Sequence, residues 1–466
     1  MKAADYIKEN EQKMIEDIRD IAGIPSILDE GTAGKGRPFG SKISEALDCI
    51  LKKASHMDMH VKNYDGYAGE ITLGDGNKMV GILGHIDVVA AGEGWDTEPF
   101  DIQIIDGRLY GRGTADDKGP IVSGLYAMKY MMDENLLPPD TCIRMIIGTD
   151  EEENWECIDH YVAAADRLPD YSIVPDGNFP LINCEKGLLD IDFSYAAPLA
   201  DAEIRVAELY GGSAKNVVPS KAFCKLRCES AETAKGLADA LDALEYISAA
   251  SDGKMTNVVA QGKGTHAMSP EKGRNAISLL MRALEQAAGE YEIEPVFETY
   301  NRYIGMAYNG EKFGCAFADD VSGELTFNIG TIELKDGRIA LGASVRYPAS
   351  IAQETVVGAI RNTCEAAGIQ MEIKSHMASL YVKEESDFVQ VLLEAYSEVS
   401  EDHGSKPIAI GGATYARAIP NAVAFGPLFP SEEELAHEPN EYLSLESLRK
   451  MTLIYIEALK RLVEIV

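Results

Sequence analysis

The sequence lacks any apolar segment approaching the roughly 20 residues that a membrane-spanning helix requires. Residues 1–23, MKAADYIKENEQKMIEDIRDIAG, are charged throughout and do not contain the apolar core of a secretory signal peptide. From these two absences we expect a cytoplasmic protein.

Positive charge is scarce, with 43 Lys and Arg against 76 Asp and Glu and a formal net charge of -33. Such an acidic chain would be repelled by the phosphates of nucleic acids and by anionic lipids. We therefore expect no nucleic-acid partner and no membrane partner, and we favour an enzyme that acts on small molecules. The 466 residues, 46% of them hydrophobic, are enough for two or three domains with a large core.

The eight cysteines form no clear metal or disulfide pattern. Only Cys224 and Cys228 are close, and the alternating run that contains them would place both on one side of a strand. Because a second pair is missing, we expect buried thiols rather than a zinc ribbon.

The stretch 78–120 contains the first candidate site. An apolar run, 79–83, predicts a buried strand that ends at His85-Ile86-Asp87. Side chains two apart on a strand point to the same side, so Asp87 can lie against the His85 ring and leave one nitrogen free for a metal. A Gly-rich loop then supplies Asp116, after a hairpin that turns at 106–107. Taken singly, a histidine such as His85 is more often structural, and an aspartate such as Asp116 is usually a turn residue.

Two more predicted strands end in acidic residues. The apolar run 142–149 leads into Asp150-Glu151-Glu152-Glu153, and the run 171–175 leads into Asp176. Adjacent carboxylates repel one another, so a cation nearby is one explanation and a solvated acidic loop is the other. In open α/β sheets, ligands bind at the carboxyl ends of the strands, where these groups can converge. His437 lies in an acidic, loop-like stretch and is either a surface histidine or a further nitrogen ligand.

The pattern of elements predicts an α/β catalytic domain with a mixed, mostly parallel sheet flanked by helices. We predict that residues 1–186 form its first part and residues 381–466 its second part. Between them, residues 187–380 alternate strands with Gly-rich turns and include a strong hairpin signal at Asp336-Gly337. We expect this segment to be an inserted α+β domain.

Five motifs, in order, resemble the di-zinc peptidase family of aminoacylase, succinyl-diaminopimelate desuccinylase and glutamate carboxypeptidase. They are Gly-His85-Ile-Asp87, Gly-Thr-Ala-Asp116-Asp117-Lys-Gly, Gly-Thr-Asp-Glu151-Glu152, Val-Pro-Asp176-Gly and His437-Glu-Pro-Asn-Glu. Within this family the chain resembles bacterial dipeptidases of the peptidase V type.

The resemblance implies two zinc ions, for which Mn²⁺ or Co²⁺ could substitute, and an Asp116 that bridges them. It places His85 and Asp176 at one ion, and Glu152 and His437 at the other. It makes Glu151 the general base and Asp87 the partner that orients His85. A third consecutive glutamate, Glu153, leaves open a shift of one position between base and ligand.

By the same resemblance, the inserted domain would be a lid. Asn216 and Arg346 would hold the carboxylate of the substrate, and His266 would stabilise the oxyanion. Gly412 and Thr414, in a Gly-rich loop, would also bind substrate. The large lid is similar to that of monomeric dipeptidases, so we expect a monomer.

The expected function is zinc-dependent hydrolysis of the amide bond in unblocked dipeptides. The alternatives are an N-acyl amino acid deacylase of the same fold and a catalytically silent binding protein. The presence of all five ligand candidates and of Glu151 argues against the silent protein.

Overall fold

A computed structural model describes residues 1–197 and 202–466, and its internal contacts divide the chain into two compact units. Unit 1 comprises Met1–Cys184, Tyr381–Ile408 and Ala413–Val466. Unit 2 comprises Glu185–Leu380 and Ala409–Gly412. No helix among the described residues combines the length and apolar character needed to cross a bilayer.

The α-helices of the described residues are α1 (Ala3–Ala22), α2 (Ser41–His56), α3 (Lys118–Asp133), α4 (Glu156–Ala164), α5 (Ala231–Asp242), α6 (Ala276–Ala287), α7 (Glu298–Tyr303), α8 (Gln353–Ala367), α9 (Asp387–Ser400) and α10 (Leu445–Ile465). The strands are β1 (His60–Tyr64), β2 (Ala68–Leu73), β3 (Lys78–His85), β4 (Gln103–Ile105), β5 (Arg108–Tyr110), β6 (Thr141–Gly148), β7 (Tyr171–Val174), β8 (Gly177–Asn178), β9 (Ile182–Glu185), β10 (Gly187–Ala196), β11 (Arg205–Gly211), β12 (Lys221–Arg227), β13 (Ile247–Asp252), β14 (Met255–Gln261), β15 (Ala318–Asp319), β16 (Gly323–Glu324), β17 (Thr326–Lys335), β18 (Arg338–Tyr347), β19 (Gln370–Met377), β20 (Leu380–Tyr381), β21 (Ile408–Ile410), β22 (Ala422–Ala424), β23 (Pro427–Leu428) and β24 (Tyr442–Ser444).

The main sheet of unit 1 is mixed, with strands in the order β1-β2-β6-β3-β7-β22-β9. Its centre is parallel, because β3 runs parallel to both β6 and β7, and β22 runs parallel to β7. Side chains along all of β6 are buried and only the first residue of β3 is exposed, as expected for strands covered on both faces. This central arrangement confirms the predicted α/β class and brings the carboxyl ends of three strands to one edge.

Helices cover the central strands of unit 1. The helices α1, α3 and α10 pack on one another, and α3 and α10 both contact β3. The apolar residues Ile7, Met14, Ile18 and Ile21 fall on one face of α1 and are all buried. A separate three-stranded sheet joins β24 to the hairpin β4–β5, which turns at Asp106 and Gly107 as predicted, with φ of 48° and 76°.

Unit 2 is built on one antiparallel sheet in the order β13-β14-β12-β11-β17-β18-β10-β19. The hairpin β17–β18 turns at Asp336 and Gly337, both with positive φ, as the sequence predicts. Helices α5 and α6 pack against the strands at one end of the sheet, and α8 packs against β19. Leu280 and Leu284 of α6 are buried in the apolar core of this unit.

A carboxylate in unit 2 ties two loops together. The oxygens of Asp319 accept from the backbone N–H of Val321 at 3.1 Å and of Ser350 at 2.9 Å, and from the Ser322 hydroxyl at 2.9 Å. Burial opposes ionisation, but the donors of Ser322 and Ser350 outweigh it and lower the pKa of Asp319 to about 2.

We predict that Asp319→Ala lowers the free energy of unfolding by about 1–3 kcal/mol at neutral pH, because several donors lose a charged acceptor. The depressed pKa means that this stabilisation is present above the ordinary aspartate pKa and is lost as the pH falls toward 2. Thermal unfolding at a series of pH values measures both effects, with the exposed neighbour Asp320→Ala as control. A difference from wild type that stays constant down to pH 2 would contradict the assignment.

Candidate active site

The candidate site forms where β3, β6 and β7 end. His85 is the last residue of β3, and the acidic segment 150–153 follows β6 after one residue. Asp176 follows β7 after a proline. The backbone N–H of Ile86 donates to the carbonyl of Gly148 at 3.0 Å, so β3 and β6 remain in register at this edge. The predicted convergence therefore follows from parallel pairing.

His85 is fully buried and contacts two of the predicted partners. Its Nε2 lies 2.9 Å from Oδ1 of Asp116. Its Nδ1 lies 3.0 Å from the main-chain carbonyl of Asp87 and 3.5 Å from the carboxylate of that residue. Asp87 adjoins the ring as predicted. The nearer acceptor is its main-chain oxygen, whereas we expected the carboxylate. Either acceptor would fix the tautomer that leaves Nε2 for a metal.

The Asp87 carboxylate supports a second site residue. Its Oδ2 accepts from the backbone N–H of Glu152 at 3.1 Å. The side chain of Asp87 is buried, and its Oδ1 has no hydrogen-bond partner among the described residues. Asp87 therefore holds the backbone of the acidic segment at Glu152 and also adjoins His85.

His437 reaches the same place from a distant part of the chain. Its Nε2 lies 3.2 Å from Oδ2 of Asp116 and 2.9 Å from Oε2 of Glu152. Its side chain is 55% exposed, which separates it from a core histidine. The sequence left open whether His437 is a surface histidine or a further nitrogen ligand. The structure places it beside two of the acidic residues.

Two overlapping groups of side chains could each hold a metal ion. In each group the potential ligand atoms lie within 4.8 Å of one another: His85, Asp116 and Glu152 in one, and His85, Glu151 and Asp176 in the other. Glu152 lies with Asp116 and His437, while Glu151 lies with Asp176. The chain thus brings together all five predicted metal ligands and the predicted base.

Several ionisable groups at this site have shifted pKa values. Burial, together with the charges of Asp116 and Glu152, raises the pKa of Asp176 to about 7. Burial and the charge of Asp176 also raise the pKa of Glu151 well above its ordinary value. Hydrogen bonds to Asp116 and Glu152 raise the pKa of His437 to about 10. The pKa shifts of Asp176 and Glu151 come from desolvation and like-charge repulsion, and that of His437 from its carboxylate partners. The donor set therefore fits divalent cations, which would relieve the repulsion.

Asn216 and His266 lie side by side in unit 2. The residue after Asn216 forms an antiparallel bridge with His266, and the backbone N–H of Ala267 donates to the Asn216 carbonyl at 2.8 Å. Asn328 of β17 donates from Nδ2 to the two carbonyls that flank Asn216, each at 2.9 Å. Both candidate residues are exposed on a segment anchored to the sheet.

Arg346 lies near this pair. It is buried in β18 opposite Thr326 of β17, whose hydroxyl donates to the Ala267 carbonyl at 3.1 Å. Partial burial and the positive charge of Arg346 lower the pKa of His266, which favours a neutral ring. Asn216, His266 and Arg346 therefore form one cluster in unit 2.

Gly412 belongs to unit 2, whereas Thr414 belongs to unit 1 and accepts from the backbone N–H of Ala416 at 3.2 Å.

Two buried acidic residues at the site carry no role predicted from the sequence. Asp117 accepts from the backbone N–H of His85 at 3.1 Å, and Glu441 accepts from the backbone N–H of Asp116 at 3.2 Å. Both belong to motifs already singled out, directly after Asp116 and four residues after His437. The signal in the sequence was an acid in a Gly-rich loop for Asp117 and an acid in a Pro-Asn-Glu turn for Glu441. The structure shows that both residues are fully buried.

Carboxylates and imidazoles that meet at the ends of parallel strands are typical of a metal-dependent hydrolase. The family model described as Peptidase family M20/M25/M40 matches residues 81–461. The chain is 34% identical over 467 residues to a Bacillus subtilis (strain 168) protein named "Putative dipeptidase YtjP", with 97% of each chain covered. The chain therefore belongs to the M20/M25/M40 peptidase family and is a metallopeptidase.

Solved structures share the fold over nearly the whole chain. Human carnosine dipeptidase 1 has a TM-score of 0.58 at 14% identity, with 99% of this chain and 98% of that chain covered. The dipeptidase Dug1p of Saccharomyces cerevisiae has the same TM-score at 15% identity and the same coverage.

We predict that Asp176→Asn stabilises the metal-free protein at alkaline pH. An acid whose folded-state pKa is raised contributes stability below its ordinary pKa, and that stability is lost as the pH rises through about 7. Metal-free wild type should therefore lose stability between about pH 4 and 7, and the variant should lose less. Thermal unfolding in chelator measures this, with the exposed Asp75→Asn as control. Equal losses in wild type and Asp176→Asn would contradict it.

Proposed function

We propose that this metallopeptidase is a zinc-dependent dipeptidase that hydrolyses the amide bond of unblocked dipeptides. The observation that carries the proposal is a chain of short contacts, with His85 2.9 Å from Asp116, Asp116 3.2 Å from His437, and His437 2.9 Å from Glu152. The relative named as a dipeptidase matches over 97% of both chains, which supports the choice of substrate class.

Five residues would hold two zinc ions, for which Mn²⁺ or Co²⁺ could substitute. Asp116 would be shared, since its two oxygens contact His85 on one side and His437 on the other. Asp176 would complete the His85 site, and Glu152 would complete the His437 site. When bound, the ions would polarise the scissile carbonyl and lower the pKa of a water molecule.

Glu151 would act as the general base. Its carboxylate lies in the group with His85 and Asp176, and its raised pKa suits a residue that takes a proton from water and passes it to the leaving amine. Glu152 is engaged with His437 instead. This difference between adjacent glutamates supports the assignment of base and ligand.

Unit 2 would act as the lid and bind the substrate carboxylate. The Arg346 guanidinium suits bidentate binding of a carboxylate, and Asn216 lies in the same cluster as an amide donor. His266 would donate to the oxyanion, as other fixed donors do. Gly412 and Thr414 would contribute further substrate contacts from the Gly-rich loop.

We also propose that the enzyme is an active monomer, because a lid of this size would supply its own histidine. Light scattering after size exclusion tests this directly, since an obligate dimer would refute it.

Cleavage of free dipeptides tests the proposed substrate class. With zinc present, we expect Ala-Ala and Leu-Gly to be hydrolysed and the N-acetyl amino acids to be poor substrates. Cleavage of the acetylated series alone would identify an N-acyl amino acid deacylase instead. Absence of any hydrolysis with zinc bound would favour the silent binding protein.

We predict that Glu151→Gln lowers kcat by about 10²- to 10⁴-fold, because the amide cannot accept the proton. Metal content should be retained, since Glu151 is not a proposed ligand. Steady-state kinetics and metal analysis measure the two effects, and the exposed neighbour Glu153→Gln is the matched control. Loss of activity in Glu153→Gln with full activity in Glu151→Gln would contradict this assignment. It would indicate a shift of one position, with Glu152 as the base and Glu153 as the ligand.

A further inference from the structure

The loop that carries Asp116 is folded around a buried carboxylate. Oε1 of Glu441 accepts from the backbone N–H groups of Ala115 at 2.9 Å and Asp116 at 3.2 Å. Oε2 accepts from the backbone N–H of Gly113 at 3.1 Å and from Nη1 of Arg112 at 2.7 Å. Successive N–H groups that converge on one anion form a nest, which here is filled by a side chain of the protein.

Both charged members of this arrangement are withdrawn from solvent. Glu441 is 0% exposed and Arg112 is 1% exposed. Removing one member of a buried, hydrogen-bonded ion pair leaves the other uncompensated, so the pair is sensitive to substitution. Gly113 has a φ of 82°, a conformation that glycine adopts readily and that turns its N–H toward the carboxylate.

The same segment places His437. Glu441 lies four residues after His437 and 325 residues from Asp116 in sequence. Its backbone carbonyl accepts from the N–H of Gly111 at 3.0 Å, and β24, which begins at the next residue, pairs with β5. Asn440 adds hydrogen bonds to Asp96 at 2.8 and 3.1 Å. The loop of Asp116 and the loop of His437 are therefore joined through Glu441 and its neighbours.

We propose that Glu441 is a positioning residue for the metal centre, which sets the Asp116 carboxylate and the His437 imidazole at a fixed separation. Asp116 is the residue that both proposed ions share, so an error in its backbone position would affect both sites. This inference rests on the proposed metal centre, but it does not depend on which amide is hydrolysed. Residues that orient metal ligands through hydrogen bonds typically change metal affinity by about 10- to 100-fold when substituted.

A glutamate suits this position better than its near relatives. Its two oxygens accept four hydrogen bonds from four donors, with no donor of its own to place. In Glu441→Gln the amide nitrogen would face N–H donors. In Glu441→Asp the charge is kept, but the side chain is one methylene shorter and cannot reach both pairs of donors.

Cobalt titration of the metal-free full-length protein tests the proposal without any substrate. Visible absorption of bound Co²⁺ reports affinity and ligand geometry, while circular dichroism and thermal unfolding of the metal-free forms report folding. We expect Glu441→Gln to keep the circular dichroism of wild type and to bind Co²⁺ about 10- to 100-fold more weakly, with an altered spectrum. The exposed Glu434→Gln removes the same charge from the same loop and should titrate as wild type does.

Folded Glu441→Gln with wild-type cobalt affinity and spectrum would overturn the proposal and reduce Glu441 to a structural role. Should Glu441→Gln fail to fold, Glu441→Asp is titrated in its place. Weakening of at least tenfold would then support the proposal, and wild-type affinity would overturn it. Wild-type protein that binds Co²⁺ but cleaves no dipeptide would refute the proposed substrate class and leave this inference standing.

Discussion

Mutual repulsion among buried carboxylates is the constraint on which this site depends. Parallel pairing of β3, β6 and β7 brings Glu151, Glu152 and Asp176 to one edge of the sheet, and a loop adds Asp116. Like charges withdrawn from water destabilise one another, and the raised pKa values of Glu151 and Asp176 express that cost. Two histidines offset part of it, and divalent cations would offset the rest.

The protein holds these groups in place through their backbone. Asp87 accepts from the N–H of Glu152, Asp117 from the N–H of His85, and Glu441 from the N–H of Asp116. Three of the five ligand candidates, Glu152, His85 and Asp116, are therefore each held by an acid that is not itself a ligand candidate. Preorganisation of this kind keeps the geometry of a site when its own charges would push it apart.

Much of unit 1 could be predicted because its signals are local. Apolar runs that end at His85, Asp150 and Asp176 mark β3, β6 and β7, and an Asp-Gly pair marks the turn at 106–107. The same signal marks the turn at 336–337 in unit 2. Helices α5 and α8 of unit 2 were not predicted, although the buried Val356, Ile360 and Cys364 follow helical spacing. The segments on either side show the alternating pattern of strands, and that pattern masks the helical spacing in this part of the chain.

Other features depend on contacts between distant parts of the chain. Whether His85 meets the carbonyl or the carboxylate of Asp87 is decided by main-chain geometry at the strand end. The contact of Glu441 with a loop 325 residues away follows from the pairing of β24 with β5, which no local pattern specifies. The ligand roles were implied by the family resemblance. The distances among the side chains are compatible with those roles.

Anomalous diffraction at the zinc absorption edge, from crystals grown with zinc, tests the central claim most directly. We expect two strong peaks that both contact Asp116, one also bounded by His85 and Asp176 and the other by Glu152 and His437. A single peak, or peaks that do not contact Asp116, would contradict it.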